Sequence, residues 1–363
     1  MPAYLDHAAT TPLRPEATEA MRPFLAGERF GNPSGSHAVA RAARTAVDEA
    51  RDIVAECLGC KPGEVVFTAG GTEADNLAVL GVHAARPGPV LCSTVEHHAV
   101  LHAVEAVGGR AVDLGDLAHA LAPGTTLVSV MLVNNEVGTI HPLDDIVEVV
   151  RRVAPDALVH TDAVQAFSWL DVAATTADLV AISAHKFGGP QGVGALVVRE
   201  GARLAPILHG GGQERERRSG THNVAGIVGM AAAMRATVES RRATNERVAD
   251  LRDRLADGLL AAVPGAVETG DRAAKVPGNC HMRFPGTESE ALLLLLDEHG
   301  VCASAGSACA SGAIEPSHVL TAMGLSREEA LSSVRFSLGW TSSDADVDLA
   351  LRVVPEAVER LRR

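Results

Sequence analysis

Polar residues capable of chemistry follow five apolar runs between residues 64 and 198. In open α/β sheets, ligands bind beyond the carboxyl ends of the strands, so the residues after each run are expected to line a site. Any one of these groups alone is common, because a glycine pair often only makes a turn and an aspartate often only caps a helix. Their joint placement predicts a shared site. The groups are Gly70-Gly71-Thr72, Glu96-His97-His98, Asn134-Asn135-Glu136, Asp162-Ala163-Val164-Gln165 and Ser183-Ala184-His185-Lys186.

A lysine, a carboxylate and a helix N-terminus at neighbouring strand ends are the groups needed to hold pyridoxal phosphate. Lys186 would form the Schiff base, Asp162 would keep the pyridine nitrogen protonated, and the helix beginning near Gly71 would bind the phosphate. Lys186 is one of only three lysines in the chain. The other two, Lys61 in a turn before a proline and Lys275 in the loop 271–278, are expected to be solvated surface residues.

The elements that must position these groups form an α/β domain. The five runs are β-branched and apolar on both faces, which predicts the strands of a mostly parallel central sheet between helices. Ser36 is expected to cap a helix over residues 38–58 that ends at Gly59. The predicted strands are 64–67, 89–92, 126–131, 157–160 and 178–182.

A smaller α+β unit is predicted after a long helical pattern that starts near Asn223. Residues 279–284, 288–298, 334–338 and 345–361 are expected to form a strand, a helix, a strand and a helix. We therefore divide the chain into a large domain, residues 15–250, and a small domain made of residues 1–14 and 251–363. The length of 363 residues suits one large domain with a satellite.

Composition excludes several classes of function. Hydrophobic residues make up 47% of the chain and charged residues 21%, which is typical of a globular protein. The net charge of −13 and the aromatic share of 3% argue against direct nucleic-acid binding. The start of the chain does not resemble a targeting segment, and the longest apolar stretch, 224–234, is too short for a membrane span. We expect a cytoplasmic protein with no membrane association.

Cysteine and histidine spacing gives little support for a metal site. Six scattered cysteines in a chain of this length predict reduced thiols. Cys57 and Cys60 form a C-x-x-C pair, but no second pair with zinc-site spacing follows, so Cys57 is expected to pack in the interior. His98 and His102 share helical spacing and are expected to be solvated. No metal is predicted.

Longer motifs make the sequence resemble a known family. The sequence resembles the cysteine desulfurases, which are pyridoxal-phosphate enzymes of aminotransferase class V and fold type I, and its cysteine loop is similar to that of their group I, which serves iron–sulfur assembly and tRNA thiolation. Mild departures are Ala305, Gln191 and Gly188. The motifs, in family order, are residues 4–12 (YLDHAATTP), 30–34 (FGNPS), 71–73 (GTE), 96–97 (EH), 134–138 (NNEVG), 162–165 (DAVQ), 185–186 (HK), 218–221 (RSGT), 304–309 (SAGSAC) and 333–339 (SVRFSLG).

The resemblance implies a role for each matching residue. His97 would stack on the cofactor ring and assist proton transfer, and Gln165 would reach its phenolic oxygen. Thr221 would complete the phosphate site of the neighbouring subunit, which implies a homodimer. Arg335, with Asn135 and Asn32, would bind the carboxylate of the substrate L-cysteine. The residues implied to bind the cofactor are Gly71, Thr72, His97, Asn135, Asp162, Gln165, Ser183, His185, Lys186 and Thr221.

The implied reaction converts L-cysteine to L-alanine and leaves a persulfide on Cys309. Its thiolate would attack the substrate sulfur and then pass sulfur to an acceptor protein, either an assembly scaffold or a tRNA-thiolation enzyme. Small, polar residues from 303 to 312 predict a mobile loop around Cys309. Cys302 is expected to be a strand residue with a largely packed sulfur. The catalytic residues would be Lys186, Cys309 and His97.

Two other classes of function stay open at this point. A selenocysteine lyase, a cystine lyase or an aminotransferase could share the fold, and formation of alanine or of a keto acid from cysteine would discriminate. A non-catalytic scaffold that binds a sulfur-carrier partner is the second class, which a colourless purified protein would favour. The acceptor, the pathway and any use of selenocysteine are not encoded in these motifs.

Overall fold

The computed structural model describes residues 2–305 and 315–363 of the chain. Its strands are β1 (Ala3–Tyr4), β2 (Val65–Thr68), β3 (Val90–Ser93), β4 (Arg110–Val112), β5 (Leu127–Ser129), β6 (Leu158–Asp162), β7 (Leu179–Ser183), β8 (Gly194–Val198), β9 (Val267–Glu268), β10 (Asn279–Arg283), β11 (Val301–Cys302) and β12 (Ser333–Ser337). Its helices are α1 (Pro15–Leu25), α2 (Ala38–Cys57), α3 (Gly71–Ala85), α4 (His98–Ala106), α5 (Leu117–Ala120), α6 (Leu143–Val153), α7 (Val224–Ala262), α8 (Ser289–Glu298), α9 (His318–Ala322), α10 (Arg327–Leu331) and α11 (Asp344–Arg362).

The chain divides into two compact units. The large unit comprises Pro12–Leu132 and His141–Ser240, and the small unit comprises Met1–Thr11, Val133–Ile140 and Arg241–Arg363. The division proposed from sequence places residues 133–140 in the large domain. Here that segment clusters with the small unit, so Asn135 and Arg335 belong to the same unit.

A mostly parallel sheet forms the centre of the large unit. In its described residues the strand order is β2-β8-β7-β6-β5-β3-β4, and only β8 runs antiparallel to its neighbours. The strands from β5 to β8 and β2 are buried almost throughout, as expected for a sheet covered on both faces. Buried residues of α3, including Leu77 and Val82, pack in one core cluster with strand residues. The predicted α/β class is confirmed, and all five predicted runs contain strands.

Helix α2 shows where a local prediction is wrong. The expected cap, Ser36, lies one residue too early, and His37 is the N-cap because its Nδ1 accepts from the Ala40 N–H at 3.2 Å. The C-terminus of α2 lies just before Gly59, as predicted. Gly59 has φ +59, and a Cβ there would lie 2.7 Å from the carbonyl oxygen of Ala173. Conformation and close packing therefore both require glycine.

The small unit contains the predicted strand, helix, strand and helix as β10, α8, β12 and α11. Strand β10 pairs antiparallel with β9 and β12. The N-terminal β1 pairs parallel with β11, and Leu5 N donates to Cys302 O at 2.9 Å. Asp6 then bridges to Ser337 of β12. The N-terminal segment is therefore held between the strand that ends at Cys302 and the strand that carries Arg335.

The prediction that Lys275 is a solvated residue is wrong. Its side chain is fully buried, and its Nζ contacts Glu268 Oε1 at 3.2 Å and donates to Thr269 O at 2.6 Å. Burial lowers its pKa, while Glu268 acts to raise it. Lys61 is exposed as predicted and pairs with Glu200. Among the helices of the described part of the chain, none is long and apolar enough to cross a membrane.

Candidate active site

Lys186 is held in place through its backbone. It ends a 3-10 turn, Ala184–Lys186, that follows directly on β7. The Lys186 carbonyl accepts from Ser168 Oγ at 3.1 Å, and the carbonyl of the next residue, Phe187, accepts from Arg14 Nε at 3.1 Å. Thr237 Oγ1 donates to the same Phe187 carbonyl. The half-buried lysine side chain therefore projects from a fixed backbone.

Asp162 ends β6, the strand next to β7, and is buried. Its Oδ1 accepts from the Val164 N–H at 2.8 Å. Burial raises the pKa of Asp162, whereas His97, the Val164 N–H and Lys186 act to lower it. The structure thus brings Lys186 and His97 within electrostatic reach of this carboxyl. A cation held against Asp162 would keep it ionised.

His97 is the N-cap of α4. Its Nδ1 accepts from the Ala99 N–H at 3.1 Å, so the proton of the neutral ring is on Nε2. The side chain is exposed rather than packed in the core. A ring with a fixed tautomer and an accessible Nε2–H can both stack on a planar ligand and exchange a proton.

The N-terminus of α3 forms a cradle of small residues. Gly70 has φ +149, and a Cβ there would lie 3.7 Å from Ser183 Oγ. A Cβ on Gly71 would lie 2.8 Å from Val164 Cγ2. Among the described residues no side chain caps this helix, so its first N–H groups could bind an anion, with the Thr72 and Ser183 hydroxyls as further candidate donors.

Four further residues of the predicted site lie in loops of the large unit. His185 is half-buried, and burial followed by the Lys186 charge lowers its pKa to about 4, so its ring is neutral. Gln165 is half-buried after β6, and Asn32 is exposed. Thr221 is exposed in the segment before α7, and Arg218 ties that segment to the first turn of α3 through a 2.7 Å contact from its Nε to Glu73 Oε1.

A buried polar layer lies behind Asp162 and was not predicted. Asp75 of α3 and His160 of β6 are almost fully buried, with Asp75 Oδ1 3.5 Å from His160 Nε2. Burial, then Asp162 and Glu96, raise the pKa of Asp75 well above its usual range. Burial also raises the pKa of Glu96 to about 8, although hydrogen bonds from Ser93 and the Met131 N–H oppose this. Ionisation of both acids is therefore disfavoured, whereas the nearby Lys186 and His97 favour the ionised form of Asp162.

Two features of the sequence could have predicted this buried polar layer. Asp75 lies between Ala74 and Leu77 on the buried face of α3, where a carboxylate is unexpected. His160 precedes Asp162 by two residues, so both side chains point to the same face of β6.

In the small unit, Arg335 is oriented by two contacts. Its Nη1 donates to Asn135 O and its Nη2 to Asp6 Oδ1, both at 2.9 Å. Arg335 Nε and Asn135 Oδ1 are buried and have no hydrogen-bond partner among residues 2–305 and 315–363. An incoming carboxylate can accept from the Nε–H group of the arginine. Asp6 is a site residue that sequence reasoning missed, although it stands in the quoted motif at residues 4–12.

The sulfur-transfer prediction rests on Cys309, which lies outside the described residues. Ser304, five residues earlier in the chain, is bridged to Arg335 by hydrogen bonds of 3.2 Å and 2.7 Å. Cys302 is a strand residue as predicted, but it is half-buried, so the expectation of a largely packed side chain is wrong in degree. Burial raises the pKa of its thiol.

The remaining cysteine and histidine candidates are unremarkable in geometry. Cys57 and Cys60 are half-buried and form no disulfide, and His98 and His102 are exposed. Within the part of the chain that the structure describes, no group of three or more His, Cys, Asp or Glu side chains is placed to hold a metal.

The residues of the large unit fit pyridoxal phosphate. Lys186 offers the amine, buried Asp162 offers a carboxylate that a cation would ionise, and the small-residue cradle at α3 offers N–H and hydroxyl donors for a phosphate. A side chain larger than glycine at position 71 would fill that cradle.

Comparisons with known proteins show the family of the chain. The family model for aminotransferase class V matches residues 3–350. An IscS-like cysteine desulfurase from Mycobacterium tuberculosis is 45% identical, with 99% of this chain and 97% of the relative covered. A cysteine desulfurase IscS from Dictyoglomus turgidum is 42% identical, with 99% and 95% covered.

Solved structures show the same fold. A NifS-like protein superposes with a TM-score of 0.92 at 33% identity, covering 99% of this chain and 100% of that one. DndA from Streptomyces lividans superposes with a TM-score of 0.76 at 34% identity, covering 93% and 99%. The predicted fold class is confirmed by these neighbours and by the strand order.

Proposed function

The chain belongs to the aminotransferase class-V family, and from that premise we propose that it is a cysteine desulfurase that depends on pyridoxal phosphate. The observation that carries the proposal is the buried Asp162, whose ionisation responds to both Lys186 and His97. The relatives described above, named cysteine desulfurases, match nearly the whole chain at 42–45% identity. A non-catalytic scaffold would leave this grouping of lysine, histidine and carboxylate without a purpose.

Lys186, Asp162 and the α3 cradle would hold the cofactor, with Gln165, His185, Ser183 and Thr72 as further polar contacts. Bound pyridoxal phosphate supplies an electron sink for the negative charge that develops at the substrate Cα. The Lys186 amine takes the Cα proton, and Nε2–H of His97 is available to return a proton. Asp162 would hold the ring nitrogen in its protonated form, because burial disfavours ionisation of Asp75 and Glu96 while Lys186 and His97 favour ionisation of Asp162.

Arg335 and Asn135 would bind the substrate carboxylate. The guanidinium is planar and offers parallel donors, which suits a carboxylate. Its contacts with Asn135 O and Asp6 Oδ1 fix its orientation before substrate arrives. Asn32 is proposed as a further contact.

Sulfur would leave through Cys309. The Cβ–S bond of L-cysteine breaks, its electron pair stays on Cβ and is protonated to form the methyl group of L-alanine, and a new S–S bond joins the sulfur to Cys309. L-Cysteine and the Cys309 thiol thus give L-alanine and a Cys309 persulfide, with no other reactant needed. The persulfide sulfur then passes to an acceptor protein of iron–sulfur assembly or tRNA thiolation.

We place this reaction in a cytoplasmic homodimer. A nucleophilic thiol needs a reducing compartment, and the cysteines of the described residues form no disulfide. Thr221 is exposed in the loop before α7, as a residue that serves a second copy must be.

Product analysis tests the proposal. The purified protein with bound cofactor, given L-cysteine and a reducing thiol, is expected to release L-alanine and sulfide in equal amounts. Formation of a keto acid in place of alanine would assign the protein to the aminotransferases or lyases. A protein that binds no cofactor and leaves cysteine unchanged would be the non-catalytic scaffold.

A further inference from the structure

The segment 134–138 has a backbone fixed by its own side chains and by β10. Asn134 Oδ1 accepts from the N–H groups of Glu136 at 2.9 Å and Val137 at 3.0 Å. Asn279 Nδ2 donates to Glu136 O at 2.8 Å. Gly138 has φ +76, and a Cβ there would lie 2.4 Å from Asn279 Cβ. Asn135 and Glu136 are therefore presented in one rigid turn.

Glu136 is buried and makes a contact that substrate binding does not require. Its Oε2 accepts from Ser317 Oγ at 2.5 Å, and both residues are under 5% exposed. Ser317 is the N-cap of α9, and its Oγ accepts from Leu320 N at 3.3 Å. Burial raises the pKa of Glu136 to about 7, whereas Ser317 and the nearby Arg335 act to lower it. Burial of a carboxyl group is costly unless it is hydrogen-bonded, and the Ser317 hydroxyl supplies that hydrogen bond.

Ser304 and Ser317 lie on either side of residues 305–316 in the chain, and Cys309 belongs to this stretch of sequence. We call residues 305–316 the bracketed segment. Ser304 is bridged to Arg335, and Ser317 is bonded to Glu136, the neighbour of Asn135. Each end of the bracketed segment is thus attached beside one of the two proposed ligands of the substrate carboxylate.

We propose that Glu136 is a positioning residue for sulfur transfer, which holds Ser317 and thereby fixes the end of the Cys309 segment relative to Asn135 and Arg335. This inference rests on the proposed function. Loss of the contact leaves the carboxylate ligands in place, so cysteine still binds. The step that needs Cys309 at the substrate sulfur is slowed, because a misplaced nucleophile loses the benefit of prior orientation.

The test separates binding from turnover. In Ser317→Ala, we expect the cysteine concentration that half-saturates the change in cofactor absorbance to stay within about twofold, while kcat falls by about tenfold. Glu136→Ala should behave in the same way. Glu136→Gln keeps an acceptor oxygen for Ser317 and should retain most of the parental kcat.

A matched control lies at the next helix. Ser326 caps α10 and its Oγ donates to Glu329 Oε2 at 2.9 Å, the same kind of contact without a link to the bracketed segment. Ser326→Ala should lose a comparable amount of thermal stability and keep the parental kcat. If Ser317→Ala does not fold, the kcat values of Glu136→Ala and Glu136→Gln are compared instead, and they decide whether Glu136 has the positioning role.

Two results would overturn the inference in distinguishable ways. A parent protein that forms no alanine from cysteine would overturn the proposed function and the inference with it. An active parent, with Ser317→Ala or Glu136→Ala turning over as fast as Ser326→Ala, would overturn only the role of Glu136. The same holds if Glu136→Gln loses as much kcat as Glu136→Ala.

Discussion

At the scale of single residues, burial decides which acid does the chemistry. Asp75, Glu96 and Asp162 are all buried in the large unit. Burial raises the pKa of each, but only Asp162 has Lys186 and His97 acting to lower its pKa. Neighbouring acids in a low-dielectric interior do not all ionise readily, and Lys186 and His97 favour ionisation of Asp162 over that of the other two.

Lys186→Ala should abolish covalent attachment of the cofactor, because the amine that forms the link is lost. The purified variant should be colourless or hold the cofactor only weakly, and borohydride should leave no label on the chain. Lys61→Ala is the control, since that lysine is exposed and pairs with Glu200. Parental labelling of the Lys186 variant would contradict the assignment.

The raised pKa of Asp75 predicts a contrast between two amide substitutions. Asp75→Asn removes a carboxyl whose ionisation is already disfavoured and keeps its shape, so turnover should fall only a few-fold. Asp162→Asn removes the required anion and should lower turnover by about a hundredfold or more, the scale of electrostatic contributions to catalysis. Alanine formation by both variants is the measurement. Equal losses in the two would show that Asp75 is the anion needed.

The positions of Lys186, Asp162 and His97 at strand ends could be predicted from sequence, because each follows an apolar run. Their roles in the site stay predictions. The burial of Lys275 could not be predicted, because it depends on Glu268 of β9, a two-residue strand with little pattern of its own. Asp6 and Glu136 have partners 329 and 181 residues away in the chain, a distance that no local spacing reveals.

At the scale of elements, a buried ion pair secures a strained turn. Glu214, Arg215 and Glu216 are non-glycine residues with positive φ, a conformation that is unfavourable for each. Arg51 of α2 contacts both carboxylate oxygens of Glu214, at 2.8 Å and 2.6 Å, and His222 Nε2 lies 2.6 Å from Oε1. These contacts hold the turn against α2 and β2.

Acid should weaken this anchor in a defined pH range. Burial by itself raises the pKa of Glu214, but hydrogen bonds from His222, Arg51 and the Phe67 N–H outweigh it and lower the pKa from 4.5 to about 2. The folded state thus binds this proton less tightly than the unfolded chain. The stabilisation of about 3 kcal/mol is present above pH 4.5 and is lost as the pH falls towards 2.

Urea unfolding of the parent and of Glu214→Gln tests this range. The variant should be less stable at pH 7, and its deficit should shrink steadily as the pH falls below 4.5, because the parental carboxylate becomes protonated. The other acids of the chain titrate in both proteins, so their effect cancels in the difference between the two free energies of unfolding. A deficit that does not change between pH 7 and pH 3 would show that ionisation of Glu214 does not stabilise the fold.

Most elements could be predicted, because their apolar patterns match the sheet faces that bury them. The edge strand β4 was missed, since two of its three residues are exposed and no run marks it. The cap of α2 was missed because a histidine ring supplies the acceptor that a hydroxyl usually supplies.

At the scale of the whole molecule, the chain crosses between its two units more often than the division predicted from sequence. Residues 133–140 leave the large unit and join the small one, where they place Asn135 and Glu136 beside Arg335. No local sequence pattern predicts that residues 133–140 belong to the small unit, because their placement depends on hydrogen bonds with distant residues such as Ala274 and Asn279.

The proposed homodimer predicts complementation between two damaged copies. Thr221→Ala weakens the phosphate site of the partner, and Lys186→Ala inactivates its own site. A purified mixed dimer of the two variants contains one site with Lys186 and an intact Thr221, so its activity should exceed that of either variant alone. Mixed dimers no more active than the Thr221→Ala protein would place Thr221 outside the partner's site.

The most direct test of the central claim is the location of the sulfur during turnover. Mass spectrometry of the working enzyme, supplied with isotopically labelled L-cysteine, should find the additional sulfur on Cys309, and Cys309→Ala should release little sulfide. Cys302→Ala, seven residues away in the chain, should carry the label and turn over as the parent does. Labelled sulfur on Cys302, or desulfuration by Cys309→Ala at the parental rate, would contradict the account and favour a lyase.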